Sequence, residues 1–306
     1  MSGLDLLVVG DCNPDLVLSG GDVAPVFGQV ERVVEEAELT IGGSGAIAAC
    51  GAARLGLRAG LVSAVGDDPL GRFMLDALAA RGVDVSGVSI LPGGRTGVTV
   101  VLVRGDDRGM LTAPGTIADL NADTVDRGLL RRARHVHVSS YFLQTALRPG
   151  LPGLLREARA AGATTSVDPN WDPAEEWDGG LLDLLDETNV LLLNADEATR
   201  IGRTDDVEAA ALALSGEGTV VVIVKLGGEG ALAVEGGRIV RSPALPVDAV
   251  DAIGAGDSFD AGFLAGYLAG RRLEESLTLA NACGSLSMRA AGGTAAQPTL
   301  AEAAAA

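Results

Sequence analysis

Lysine is all but missing from this 306-residue chain: Lys225 is the only one, and arginine carries the rest of the positive charge. With 41 acidic against 23 basic residues the formal net charge is -18. Such a chain has no basic surface to follow a phosphate backbone, so neither nucleic acid nor an acidic membrane is expected as a partner. Any anionic ligand must be held by local features. Cysteine is scarce too. Cys12, Cys50 and Cys283 show no C-x-x-C spacing, which argues against a disulfide framework or a zinc site and suits a reducing cytoplasm. No stretch reaches the ~18 apolar residues of a bilayer span, and no basic region precedes the short apolar run at residues 6–9, so membrane insertion and export are not expected. Two motifs are also absent. The phosphate loop G-x-x-x-x-G-K-[ST] is excluded because the one lysine follows Val224. The serine-nucleophile pattern G-x-S-x-G does not occur.

What is present is alternation. Residues 6–9, 61–65, 135–139, 164–167, 190–193 and 220–224 are short apolar runs that read as buried strands. Between them, 44–57, 69–81, 150–161, 195–201 and 207–214 read as helices. This βαβα order predicts an α/β fold with a mostly parallel sheet covered on both faces and ligands beyond the carboxyl ends of its strands. The length suits one domain, 1–306, with a small appendage. Residues 29–39 and 95–112 break the pattern. The second contains Thr96 to Val103 and Met110 to Thr112 around a turn expected between Gly105 and Gly109. Together, segments near 12–39 and 95–113 form a small β-sheet lid, or else the hairpin edges the main sheet.

The chemistry concentrates in Asp251-Ala252-Ile253-Gly254-Ala255-Gly256-Asp257. Gly254 and Gly256 open the approach to a helix N-terminus, where unpaired N–H groups and the macrodipole stabilise an anion. A carboxylate at Asp257 beside that hole suits general-base removal of a hydroxyl proton during phosphoryl transfer. Glycine is abundant, at 43 residues, so the motif alone is ambiguous. Asn13 and Asp15 follow the first strand at alternate positions and suit either sugar hydroxyls or an Asx-type turn. Gly43-Ser44-Gly45-Ala46-Ile47-Ala48 mimics a dinucleotide fingerprint, but the acidic residues 35–38 before it do not suit the buried strand that fingerprint needs. Asn194 and Glu197 share a first helical turn and suit water-held Mg²⁺, a reciprocal cap, or both. Lys225 and the glycines Gly227, Gly228 and Gly230 form either a nucleotide-facing turn or a plain hairpin. His135 and His137 are expected to be structural or partly exposed.

In this order the pieces resemble the ribokinase-like, phosphofructokinase-B type of carbohydrate kinase across nearly the whole chain. The resemblance rests on Gly42-Gly43-Ser44-Gly45 through Gly56, Asn194 to Glu197, and Asp251 to Asp257. It implies a three-layer α/β/α ribokinase-like fold with a β lid that pairs two copies into a homodimer. By that likeness Asp257 is the base and Gly254, Ala255 and Gly256 make the anion hole. Asn13, Asp15, Gly42, Gly43, Ser44, Ile47 and Asp251 line the sugar site. Asn194, Lys225, Gly227, Gly228 and Gly230 border ATP, and Asn281 lies near the adenine. Mg²⁺ sits at Asn194 and Glu197 through water, and K⁺ at Asp251 and Ile253. Three departures bear on the acceptor. Ile47 replaces an Asn common in ribokinases, Ser44 replaces a lysine associated with phosphorylated sugars, and Asp172 stands where a sugar-acid kinase has arginine. The expected activity is ATP-dependent transfer to a sugar hydroxymethyl group. A nucleoside acceptor and an inactive binding relative are the alternatives.

Overall fold

The computed structural model describes residues 3–105, 107–216 and 221–306. Its strands are β1 (Leu4–Val9), β2 (Asn13–Ser19), β3 (Glu36–Gly42), β4 (Ala59–Gly66), β5 (Asp84–Leu91), β6 (Val98–Arg104), β7 (Asp107–Ala113), β8 (Ala133–Ser139), β9 (Thr164–Asp168), β10 (Val190–Asn194), β11 (Val221–Lys225), β12 (Ala231–Glu235) and β13 (Arg238–Ser242). Its α-helices are α1 (Ser44–Arg54), α2 (Pro69–Ala80), α3 (Arg127–Arg132), α4 (Leu151–Ala160), α5 (Leu181–Leu185), α6 (Ala195–Ile201), α7 (Val207–Ser215), α8 (Ala255–Leu268), α9 (Leu273–Ser287) and α10 (Leu300–Ala305).

Nine strands form the main sheet in the order β13-β12-β11-β10-β9-β8-β1-β4-β5. All neighbours are parallel except β11/β12 and β12/β13. Side chains alternate between its faces, so one chain run feeds two cores. Leu7, Val9, Val136 and Val138 pack with α3 to α7. Leu6, Val8, Leu61 and Ile223 pack with α1, α2, α8 and α9. From β1 the chain builds outward first through β4 and β5, then on the other side from β8. The sheet therefore changes direction between β1 and β8, where α/β sheets open a crevice at the strands' carboxyl ends.

The remaining strands make a separate sheet, β3-β2-β6-β7, so the hairpin does not edge the main sheet. Only β2 and β6 run parallel in it. The expected extended segment 29–39 is strand only from Glu36 onward, because β2 offers partners no further than Ser19 opposite Glu36. The hairpin turn is also tighter than the span Gly105 to Gly109, since Asp107 already pairs Arg104 and Gly109 pairs Leu102. Helix α1 stops at Arg54 rather than at 57, where Gly56 turns left-handed at φ 92°. Val220, placed in a strand by its sequence, lies outside the described residues.

His135 and His137 are not partly exposed but wholly buried. On the face below α8, His135 meets Thr164 Oγ1 and Ser166 Oγ at 2.7 Å each, and His137 Nδ1 meets the same Ser166 hydroxyl at 2.7 Å. Burial lowers their pKa values to about 3 and about 4, which keeps both rings neutral.

Candidate active site

Four parallel strands end at one rim, and each delivers a polar side chain there. Asp11 follows β1, Asp168 closes β9, Asn194 closes β10 and Lys225 closes β11. Helix α8 begins at the same rim. Its N-cap Gly254 is left-handed at φ 69°, and a Cβ there would lie 2.8 Å from Gly293 Cα and 2.9 Å from Ile47 Cγ2. Only glycine fits that junction. Gly256 is different: a Cβ would meet nothing nearer than Lys225 Nζ at 3.5 Å. The backbone at Gly256 is thus open on the side of the Lys225 ammonium group, whereas the first N–H of α8, at Ala255, donates to Ala252 O at 3.3 Å.

Asp257, in the first turn of α8, is buried. Its burial and the nearby charge of Asp168 push its pKa up to about 7, against the opposing pull of Lys225 and the Ser44 hydroxyl. One helical turn on, Asp260 shares its face. Lys225 Nζ donates to Asp168 Oδ2 at 2.6 Å and to Asp260 Oδ1 at 3.1 Å. Burial opposes the lysine's charge, but the two carboxyls outweigh it and hold the ammonium above its ordinary pKa. Burial likewise opposes ionisation of Asp168, which Lys225 overcomes and brings below the usual carboxylate range. Asp260 goes the other way, raised by burial and by the neighbouring Asp168 against the pull of Lys225. The lysine read as a nucleotide contact is therefore first a structural counter-ion, although it also reaches the adjoining pocket.

On the lid side, Asn13 Nδ2 donates to Thr99 Oγ1 at 3.2 Å and Asp15 Oδ1 at 3.4 Å, and the Thr99 and Thr112 hydroxyls are 3.1 Å apart. Burial and the charges of Asp11 and Asp257 push the Asp15 pKa up to about 7, while Arg108 on β7 draws it down. The Gly42-Gly43 pair is explained by these side chains. A Cβ on Gly42 would overlap the Asp15 carboxyl, and one on Gly43 would lie 2.9 Å from Asn13 Oδ1. Asp11, which the sequence reading passed over, accepts from Gly45 N at 2.8 Å and Ser44 N at 3.1 Å, holding the entrance of α1.

Beside Lys225 lies a pocket of about 470 Å³ whose lining includes Asn194, Asp196, Lys225, Gly227, Glu229 and Arg241. A Cβ on Gly227 or Gly228 would meet nothing within 4 Å, so that turn is open on the pocket side. Asn194 and Glu197 form a reciprocal capping box: Glu197 N donates to Asn194 Oδ1 at 2.9 Å and Asn194 N to Glu197 Oε2 at 2.8 Å. Burial and the charge of Asp168 push Glu197 up to about 7. Among the described residues no group of three or more His, Cys, Asp and Glu side chains could hold a metal ion. That donor set fits Mg²⁺ carried on one carboxylate, water and ligand phosphates, and does not fit a closed protein cage.

Several expected site residues also make structural contacts. Ile47 is buried and packs against Gly254 and Gly293, between the entrance of α8 and the 292–293 loop. Gly230 is required by its own packing, since a Cβ there would strike Ser242 O and the 243–244 backbone. Asn281 is buried behind the pocket with Nδ2 donating to Ser242 O at 3.0 Å. Asp251 joins two loops, accepting from Ile253 N at 2.9 Å and Gly292 N at 2.8 Å, while Ile253 packs with Val17 and Val101 under the lid. Asp172 caps its own loop by accepting from the N–H groups of Ala174, Glu176 and Trp177. Asp168 and Asp260 were the functional residues sequence reasoning missed. Their one local signal was position: a strand's carboxyl end for Asp168 and the i+3 place after Asp257 for Asp260.

A two-layered helical cover on a parallel sheet, a small β lid and a carboxylate at a glycine-opened helix entrance define a carbohydrate kinase. The family model described as pfkB family carbohydrate kinase matches residues 4–300, and the chain belongs to that family. The ATP-dependent ribose-1-phosphate kinase of Halopiger xanaduensis is 36% identical over 288 residues, covering 88% of this chain and 90% of that protein. A fructokinase of Klebsiella pneumoniae is 33% identical over 277 residues, covering 84% and 88%. Among solved structures, a provisionally named ribokinase II of E. coli in complex with ATP and Mg²⁺ superposes with a TM-score of 0.87 at 26% identity, covering 100% of this chain and 98% of the other. The ribokinase-like fold and the sugar-kinase class are thereby established.

Proposed function

We propose that this kinase transfers the γ-phosphoryl group of ATP to a hydroxymethyl group of a small sugar, with Asp257 as the base. The carrying observation is Asp257 itself: a buried carboxyl with a pKa of about 7, set between the open N-terminus of α8 and the Asn13/Asp15 side of the lid. A base poised near neutral pH both accepts a proton and is ionised often enough to do so. The acceptor oxygen bonds to the γ-phosphorus, the bond to the bridging oxygen breaks, and the hydroxyl proton passes to Asp257. The N–H groups of Gly254, Ala255 and Gly256 hold the charge that develops on the transferred group.

Asn13, Asp15 and Thr99 hold and orient sugar hydroxyls, with Gly42, Gly43, Ser44 and Asp251 forming the surrounding wall. Asn194, Gly227 and Gly228 border the nucleotide in the pocket beside Lys225, and Glu197 holds the waters of Mg²⁺. When bound, the metal neutralises phosphate charge. Asp251, each of whose carboxyl oxygens takes one backbone N–H and keeps a free lone pair, is the anchor for a monovalent cation such as K⁺. The names of the relatives, ribose-1-phosphate kinase and fructokinase, support a small sugar as acceptor.

The protein works as a homodimer through its lid. On the sheet face away from Asp15, Leu16 pairs with Leu39 and Val100, and Val100 with Leu111. Leu39 and Leu111 are 40% and 64% exposed, an apolar surface that a second copy would cover. Three buried free thiols and the absence, among the described residues, of a helix able to cross a membrane support a cytoplasmic location. ADP formation measured across pentoses, hexoses, sugar phosphates, sugar acids and nucleosides tests the acceptor. Stimulation by a sugar is expected. Stimulation by nucleosides alone contradicts the sugar assignment, and none at all favours a binding protein.

A further inference from the structure

Away from the phosphoryl-transfer rim, a second pocket of about 400 Å³ opens between the C-terminal halves of α1 and α2 and the segment 294–297. Two arginines line it, Arg54 and Arg81. In a chain of net charge -18 that convergence is unusual. Neither guanidinium forms an ion pair with a carboxylate among the described residues. Arg54 Nε donates to Gln297 O at 3.3 Å and Arg81 Nη1 to Ala77 O at 3.4 Å, which leaves most of their N–H groups unspent. Glu302 on α10, held below the usual carboxylate range mainly by the Thr299 N–H and hydroxyl, also feels the charge of Arg54.

A second, independent feature points the same way. Thr294 lines the pocket, is 8% exposed, and its hydroxyl has no hydrogen-bond partner among the described residues. A buried hydroxyl without a partner carries an uncompensated desolvation cost, so a site that satisfies it on filling gains that back. Cys50, also in the lining, offers no competing anion, because burial pushes its thiol up to about 12. Two guanidinia and one hydroxyl donor around a cavity of this size match the oxygens of a phosphate group.

The pocket is wired to the reaction centre. Gln297, in its wall, donates through Nε2 to Ile47 O at 3.0 Å and to Ser258 Oγ at 3.1 Å, and Ser258 follows Asp257 directly. Gly293, next to Thr294, packs against the N-cap Gly254. We propose that this pocket is an anion site for a phosphate group, carried by a phosphate monoester or free phosphate, whose occupancy fixes segment 292–297 and thereby the entrance of α8. The phosphate bound here is distinct from the one being transferred.

The test fills the nucleotide pocket of the full-length protein with a non-hydrolysable ATP analogue and then titrates inorganic phosphate or glycerol 3-phosphate while following Tm. A saturable rise in Tm is expected. Arg81→Ala, on a surface arginine outside the catalytic machinery, is expected to weaken it at least about tenfold, and Thr294→Val to weaken it less. Stronger binding of the ester than of inorganic phosphate assigns the site to a metabolite, and equal binding to free phosphate. No saturable rise in wild type, or a rise of equal midpoint in Arg81→Ala, overturns the proposal.

Discussion

The entrance of α8 and the β lid each present carboxyl groups to the same space, but they are built in opposite ways. Around α8, Asp257, Asp260 and Asp168 are buried and Lys225 is half-buried among elements packed into the main sheet, and their charges are set by one another. In the lid, Arg108 and the whole of β7 are exposed, and only β2 and β6 carry buried side chains toward the site. Phosphoryl transfer needs fixed dipoles and a fixed base, which a rigid rim supplies. On the proposed reading, acceptor choice falls to the thinner, more exposed sheet.

If the division is real, changes at the rim should cost far more than changes in the lid. Asp257→Asn is expected to lower kcat by roughly 10²–10⁴ with ATP affinity nearly intact, read from steady-state kinetics and nucleotide binding. The same variant should be more stable at pH 8. The folded pKa of Asp257, about 7, lies above its unfolded value of 3.8, so its favourable contribution is full below pH 3.8 and is lost as pH rises through 7. Asparagine removes that loss, and Tm measured from pH 4 to 8 should show the two proteins diverging toward the alkaline end.

Lys225→Met tests the counter-ion. It leaves the buried Asp168 carboxyl beside Asp260 without its counter-ion, and breaking such a pair costs about 3–5 kcal/mol, to be read from denaturant unfolding. A variant as stable as wild type would show that the trio does not hold the rim. In the lid, Asp15→Asn is expected to raise the sugar KM by about tenfold or more and leave the KM for ATP unchanged, because its carboxyl faces only the acceptor side. Equal effects on both substrates would erase the division of labour. The smallest effect on chemistry belongs to Leu111→Glu on the outer lid face. It should shift the protein from dimer to monomer in sedimentation while changing monomer stability by no more than about 0.5 kcal/mol.

Legibility in the sequence follows the same divide. Strands β1, β4, β8, β9, β10 and β11 are readable as short buried runs, whereas β5 and β13, half-exposed at the two edges of the sheet, carry no such run, and α6 is readable to the residue from its cap, Asn194 with Glu197. Residues 29–35 misled because alternation promises a strand only where a neighbour exists, and Val30 and Val33 stand 52% and 84% exposed without one. The glycine motif at 254–256 marked the helix entrance, yet it could not tell Gly254, needed for packing against Gly293, from Gly256, which leaves space open. Asp11, Asp168 and Asp260 carry no local signature beyond their position in the chain, since their contacts reach across 34, 57 and 35 residues. The packing of Ile47 under the loop at 292–293 is equally illegible, because it joins segments some 245 residues apart in the chain.

The pH dependence of kcat/KM, with the sugar varied at saturating ATP, tests the central claim most directly. A base whose pKa is about 7 predicts a rate that climbs tenfold per pH unit below neutrality and levels off above it, and Asp257→Asn should lose that limb altogether. A profile flat from pH 5 to 8 in the wild type, or the same limb surviving in Asp257→Asn, would contradict the assignment of Asp257 as the group that takes the proton.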